Sequence, residues 1–136
     1  MNKRRTNLLL AVAIIIVVLV ASVLNPPDRV EFHIEEDVMY VDGPEGFRYS
    51  TPLGEIEKLL LVEDPVYGEE GEKTKGVVWG SYTNDTWGEH MQCAYAKIPV
   101  CIAVYGPDGI LLFNFDDEEI TRKLYEALLE YPTVNV

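Results

Sequence analysis

Hydrophobic period changes once in this chain, and that change constrains the fold more than any other feature. From Val30 to Phe115, apolar residues alternate with polar ones or run in short bursts, the pattern of strands. From Ile120 onward they recur at helical spacing. Ile120, Leu124, Ala127, Leu128 and Tyr131 fall on one helical face, opposite Arg122, Lys123, Glu126 and Glu130, and Pro132 ends the run. Asp116 with Glu119 three residues on reads as a capping box, with Phe115 and Ile120 at the hydrophobic-staple positions. A domain built of strands and closed by one amphipathic helix follows.

The strand pieces are bounded by turn chemistry. Val30, Phe32 and Ile34 alternate with polar residues, and Met39 and Val41 resume the pattern after the Glu35-Glu36-Asp37 turn, so the two read as a hairpin. Phe47-Arg48-Tyr49, Ile56 to Val62, Gly76 to Tyr82, Trp87 to Tyr95, Val100 to Tyr105 and Ile110 to Phe115 are the further strand segments. Val66 to Lys75 is rich in Gly, Glu and Lys and reads as a solvated loop. Ile98-Pro99 and Gly106-Pro107-Asp108-Gly109 read as turns of the hairpin type. One helix cannot cover both faces of a parallel sheet, so antiparallel neighbours are expected. The expected fold is mainly β: a bent antiparallel sandwich or partly open barrel of about seven strands with a C-terminal capping helix.

Charge divides the chain before this domain begins. Residues 1–27 hold Lys3, Arg4 and Arg5 and no acid, whereas the remaining 109 residues hold eight basic against 23 acidic side chains, a net charge of −15. Leu8 to Leu24 is a run of 17 uncharged residues, near the short limit of about 17 for spanning a bilayer and long for a signal-peptide core. Residues 1–27 are therefore expected to be a signal anchor or transmembrane helix with its linker, Asn25-Pro26-Pro27, and residues 28–136 the domain. The positive-inside rule puts the basic end in the cytoplasm and the domain outside it. A secreted protein cut after Val20-Ala21-Ser22 is the alternative. The acidic domain repels phosphate backbones, so nucleic acid is excluded as a partner.

The stretch Gly76-Val-Val-Trp79-Gly80-Ser-Tyr82-Thr-Asn84-Asp-Thr-Trp87-Gly88, the later Asp108-Gly109-Ile110-Leu-Leu-Phe-Asn114, and the helix containing Leu124-Tyr125 resemble the bacterial pleckstrin-homology-like domains. Val41-Asp42-Gly43-Pro44 and Gly54-Glu55-Ile56 are similar as well, so the resemblance runs from about Phe32 to Tyr131. It implies a bent sandwich with a C-terminal helix and a binding or assembly role for a membrane-tethered module. The phosphoinositide-binding namesakes use a basic loop after the first strand. Here that loop is the acidic Glu35-Glu36-Asp37, which argues against phosphoinositide binding, and no functional residue of the family carries over.

Candidate chemistry is sparse. Cys93 and Cys101 flank the Ile98-Pro99 turn and could meet as cross-strand partners in a disulfide, or stand as two small buried core residues. Neither the cysteines nor His33 and His90 have the spacing of a metal site. Cys93 and His90 lie three apart, on opposite faces of a strand, which argues against a thiol and its base. Trp79, Tyr82 and Trp87 flank a turn and are the expected exposed aromatic set for ligand or protein contact, with core packing as the competing role. No metal, cofactor or catalytic residue is expected. The chain reads as a membrane-held module for an unidentified protein or peptide, with a small carboxylate-dependent hydrolase or carbohydrate-binding protein as the alternative.

Overall fold

A computed structural model of the chain describes residues 29–67, 72–74 and 76–134. The apolar run 8–24, its linker, and Glu69 and Glu70 of the acidic loop lie outside the described residues. Among the described residues no helix is long and apolar enough to cross a membrane.

The first three strands, β1 (Glu31–Glu35), β2 (Val38–Asp42) and β3 (Arg48–Pro52), form an antiparallel meander in that order. Glu36 and Asp37 both take positive φ, 52° and 60°, at the β1–β2 turn. Two such residues give the two-residue turn whose twist matches that of the flanking strands. Alternation puts Phe32, Met39, Val41 and Tyr49 on one face, where all four are buried in the main core.

The second sheet comprises β4 (Lys58–Glu63), β5 (Glu72–Thr74), β6 (Val77–Asn84), β7 (Gly88–Tyr95), β8 (Val100–Gly106) and β9 (Gly109–Phe113). Its spatial order is β4-β8-β9-β7-β6-β5. Its inner face, carrying Val77, Cys93, Tyr95, Ile102, Val104, Leu111 and Phe113, packs on the small sheet. Phe32 stacks on Phe113 at 6.0 Å between centroids, and Phe115 meets both rings edge-on. Such ring pairs add about 0.5–1.5 kcal/mol each beyond their buried area. The helix α1 (Glu118–Glu130) closes the core with Leu124 and Leu128, both fully buried.

Two packed sheets and one terminal helix agree with the expected mainly β sandwich, but three details differ. Nine strands form among the described residues, against the seven or so expected. Every segment read as a strand pairs, and Glu72–Thr74, read as part of a solvated loop, adds a short edge to Val77–Trp79. Three residues are too few to display a period.

Second, one pair is parallel. β9 turns back from β8 and inserts between β8 and β7, pairing Met91–Cys93 with Leu111–Phe113 in parallel. The connection 96–99, read as a hairpin turn, instead spans two strand spacings, about 9.5 Å. Third, the helix starts one residue later than expected. Asp117 is the N-cap, accepting from Ile120 N at 3.0 Å, which leaves no glutamate at the third helical position to complete a capping box. Asp116 pairs with Arg29 instead. Thr121 completes the start, donating to Asp117 O and accepting from Phe115 N.

Candidate functional site

The aromatic set expected to form one exposed patch is divided between the two faces of the large sheet. Trp79 packs, half-buried, against the main core on the inner face. Trp87 joins a second apolar cluster around Cys101, Ala103 and Leu112 on the outer face. Tyr82 is 8% exposed and donates its hydroxyl to Trp79 O at 3.1 Å. Strand alternation explains the split: Trp79 and Tyr82 stand three residues apart on β6 and so point to opposite sides.

The two cysteines are likewise separated. Both are free thiols, Cys93 in the inner core and Cys101 in the outer cluster. With β9 between their strands, a bridge needing Cα atoms about 5.5 Å apart has no path. Burial pushes the Cys101 thiol up to about 12, against the lowering effect of a hydrogen bond from Tyr67, and burial also raises Cys93. Neither is an activated nucleophile. His90 and Cys93 stay on opposite faces, as their spacing requires.

A buried amide seals the place where β9 runs out. Asn114 is fully buried immediately after β9. Its Oδ1 accepts from Tyr95 N at 2.6 Å, and its Nδ2 donates to Tyr95 O, Val100 O and Tyr67 Oη. One side chain thus continues the sheet's hydrogen bonding across the gap between β7 and β8.

At the opposite end of β7 lies a cleft of about 430 Å3. Because β9 pairs only with Met91–Cys93, the strands β6 and β7 run on past it. The cleft occupies the space this leaves beside the β8–β9 turn. Ser81 and Thr83 line it from β6, Glu89 and Met91 from β7, and Asp108, Gly109 and Ile110 from the turn and the start of β9. Alternation places Ser81, Thr83, Glu89 and Met91 on the core-facing side of the sheet, beyond the region the small sheet covers.

Tyr82 and His90 complete the lining. The His90 ring, 5% exposed, lies beside Tyr82 with centroids 6.1 Å apart. Its Nδ1 is 2.9 Å from Gly88 O and its Nε2 is 3.0 Å from Gln92 Oε1. A neutral ring donates to one of these oxygens, and the imidazolium donates to both. Tyr49 reaches the cleft's rim from the small sheet, its hydroxyl donating to Gly109 O at 3.1 Å. Burial, with a contribution from Asp108, pushes that hydroxyl up to about 12.

The expected set therefore contributes Tyr82 to the cleft, while Trp79 and Trp87 lie elsewhere. Ser81, Thr83, Glu89, Met91 and Asp108 were not singled out by sequence. Only the Gly106–Gly109 turn signal marked the location. Among the described residues no group of three or more His, Cys, Asp or Glu is placed to hold a metal ion. Comparison of the chain with protein-family models, with curated proteins and with solved structures finds no match.

Proposed function

We propose that this chain is a non-enzymatic binding or assembly module, held at the cytoplasmic membrane by residues 8–24, whose domain faces outward and recognises a protein or peptide. Its domain is proposed to be pleckstrin-homology-like. The two packed sheets and terminal helix support that reading, and the parallel β7–β9 pair is a departure from its antiparallel pattern.

The observation that carries the binding role is the cleft. It mixes hydroxyls, carboxylates and apolar side chains on strands whose positions are fixed by the sheet. Recognition surfaces combine an apolar floor with a few placed polar groups in this manner. The acidic surface favours basic partners and keeps the domain away from anionic headgroups.

Site-specific photocrosslinking in intact cells tests the reading. A benzoylphenylalanine at Thr83, exposed on the cleft, should give a discrete adduct that the same probe at Glu126, on the exposed side of the helix, does not. No adduct at Thr83, or the same adducts from both positions, would remove the cleft as the recognition site. External protease should digest the domain in intact cells. Protection until lysis would reverse the orientation.

A further inference from the structure

We infer that the cleft receives a cationic side chain, a lysine or arginine of the partner polypeptide. Glu89 and Asp108 act as its counter-charges, and Met91 as the surface for its alkyl stem. The inference rests on the binding role proposed for the same cleft and specifies its ligand chemistry.

Among the described residues, Arg29 is held by Asp116, Arg48 by Asp42, Arg122 by Glu63 and Lys123 by Glu119. Lys58 lies over the Tyr105 ring, 5.4 Å from its centroid. Lys97 follows the far end of β7, a strand length from Glu89. No described lysine or arginine forms an ion pair with Glu89 or Asp108; other carboxylates, such as Glu55 and Asp85, are also without one, but Glu89 and Asp108 line one concavity.

These two acids come from different elements, the start of β7 and the β8–β9 turn, and converge on one concavity. Ser81 and Thr83 add hydroxyl oxygens able to accept from an ammonium or guanidinium group. Met91 is half-buried and apolar, lining against which a lysine or arginine stem packs while its charged head remains among polar groups. An anionic or phosphorylated occupant would meet two carboxylates and no described cation. At about 430 Å3 the space suits one long side chain with part of its backbone, near the lower end of the usual range for ligand pockets.

The test uses the full chain, 15N-labelled, in zwitterionic detergent micelles. The probes are four N-acetylated, C-amidated tripeptides, Gly-X-Gly, with X as lysine, arginine, norleucine or glutamate. The lysine and arginine probes should produce saturable amide shifts at Ser81, Thr83, Glu89 and Gly109, whereas the norleucine and glutamate probes should not. Glu89→Gln and Asp108→Asn should each weaken lysine-probe binding about threefold to fivefold, the upper part of the range for a solvent-accessible ion pair. Glu126→Gln on the helix should leave it unchanged. Raising salt from about 0.05 to 0.5 M on the unmodified chain should weaken binding similarly, which keeps the test independent of how the variants fold.

Equal binding of the norleucine probe would overturn the cation inference while leaving the cleft as a recognition site. Unchanged lysine binding in both cleft variants would do the same. Failure of all four probes to shift cleft amides would also overturn it, and the Thr83 crosslink then decides separately whether the cleft binds a partner at all.

Discussion

Replacing Gly106 with alanine sets a single methyl group against the joint between the two sheets. Gly106 ends β8, and a Cβ there would lie 2.6 Å from Tyr49 Oη and 2.9 Å from Thr51 Oγ1. Tyr49 and Thr51 are 3% and 2% exposed, so neither side chain can swing into solvent. Gly106 does not occupy the left-handed region, so alanine brings no backbone strain. It even gains about 0.4–1 kcal/mol by restricting the unfolded chain. Overpacking at a tight site costs about 1–3 kcal/mol, and the contact distances here put the clash in the upper half of that range. A net loss of about 1–2.6 kcal/mol results.

Tyr49→Phe removes the closer of the two atoms and, by itself, costs about 1 kcal/mol for the lost hydrogen bond to Gly109 O. The double variant should therefore be more stable than the sum of the singles by about 1 kcal/mol. Urea unfolding followed by the fluorescence of Trp79 and Trp87 measures both quantities. With a slope of about 2 kcal/mol per molar, the Gly106→Ala midpoint falls by about 0.5–1.3 M. An alanine variant as stable as the parent, or additivity of the two changes within about 0.3 kcal/mol, would refute the docking of Tyr49 on the end of β8.

Asn114→Ala strips three backbone groups and Tyr67 of their buried partner. A loss of about 2–4 kcal/mol is expected, with faster hydrogen exchange at the Tyr95 amide, and unchanged exchange there would contradict the bridging role. Alkaline titration should destabilise the domain. The Cys101 thiol ionises from its ordinary value of 9.0 when unfolded but only at about 12 when folded, and the Tyr49 hydroxyl shifts from 10.0 to about 12. The folded state then holds more protons, so its stability is full below pH 9 and is lost as pH rises toward 12. A urea midpoint constant from pH 8 to 11.5 would show the two groups to be exposed. Asp37→Gly relieves a φ of 60° at the first hairpin and should raise stability by about 0.5–1 kcal/mol, read from thermal melts; a drop would mean that the turn is not left-handed.

Local pattern and local chemistry account for what could be read in advance. Leu124, Ala127 and Leu128 are buried as the helical period requires, and the alternation around Phe32 and Val41 survives as a core-facing strand face. What escaped depends on which strands become neighbours. The short Ile98-Pro99 connection has the same residues whether it makes a hairpin or spans a slot for β9, so the bridge and the two separate buried thiols both stayed open until the inserted strand decided for the thiols. The role of Asn114 exists only because β9 stops at Phe113 between two strands that continue. Glu89 and Asp108, 19 positions apart, meet at the cleft through that same insertion. In the sequence each is one acid among 23.

The placement of β9 also governs the order in which the chain can complete itself. Without Gly109–Phe113 the large sheet is two separate pieces, β4–β8 and β7–β6–β5, each presenting an open edge where the missing strand belongs. A chain growing from its N-terminus carries both edges until about residue 113 has emerged. Exposed edges of this kind recruit strands from other molecules. Nascent chains stalled or cleaved before Gly109 should therefore aggregate or call on a holding chaperone, whereas chains ending just after Asn114 already contain the strand that joins the two halves.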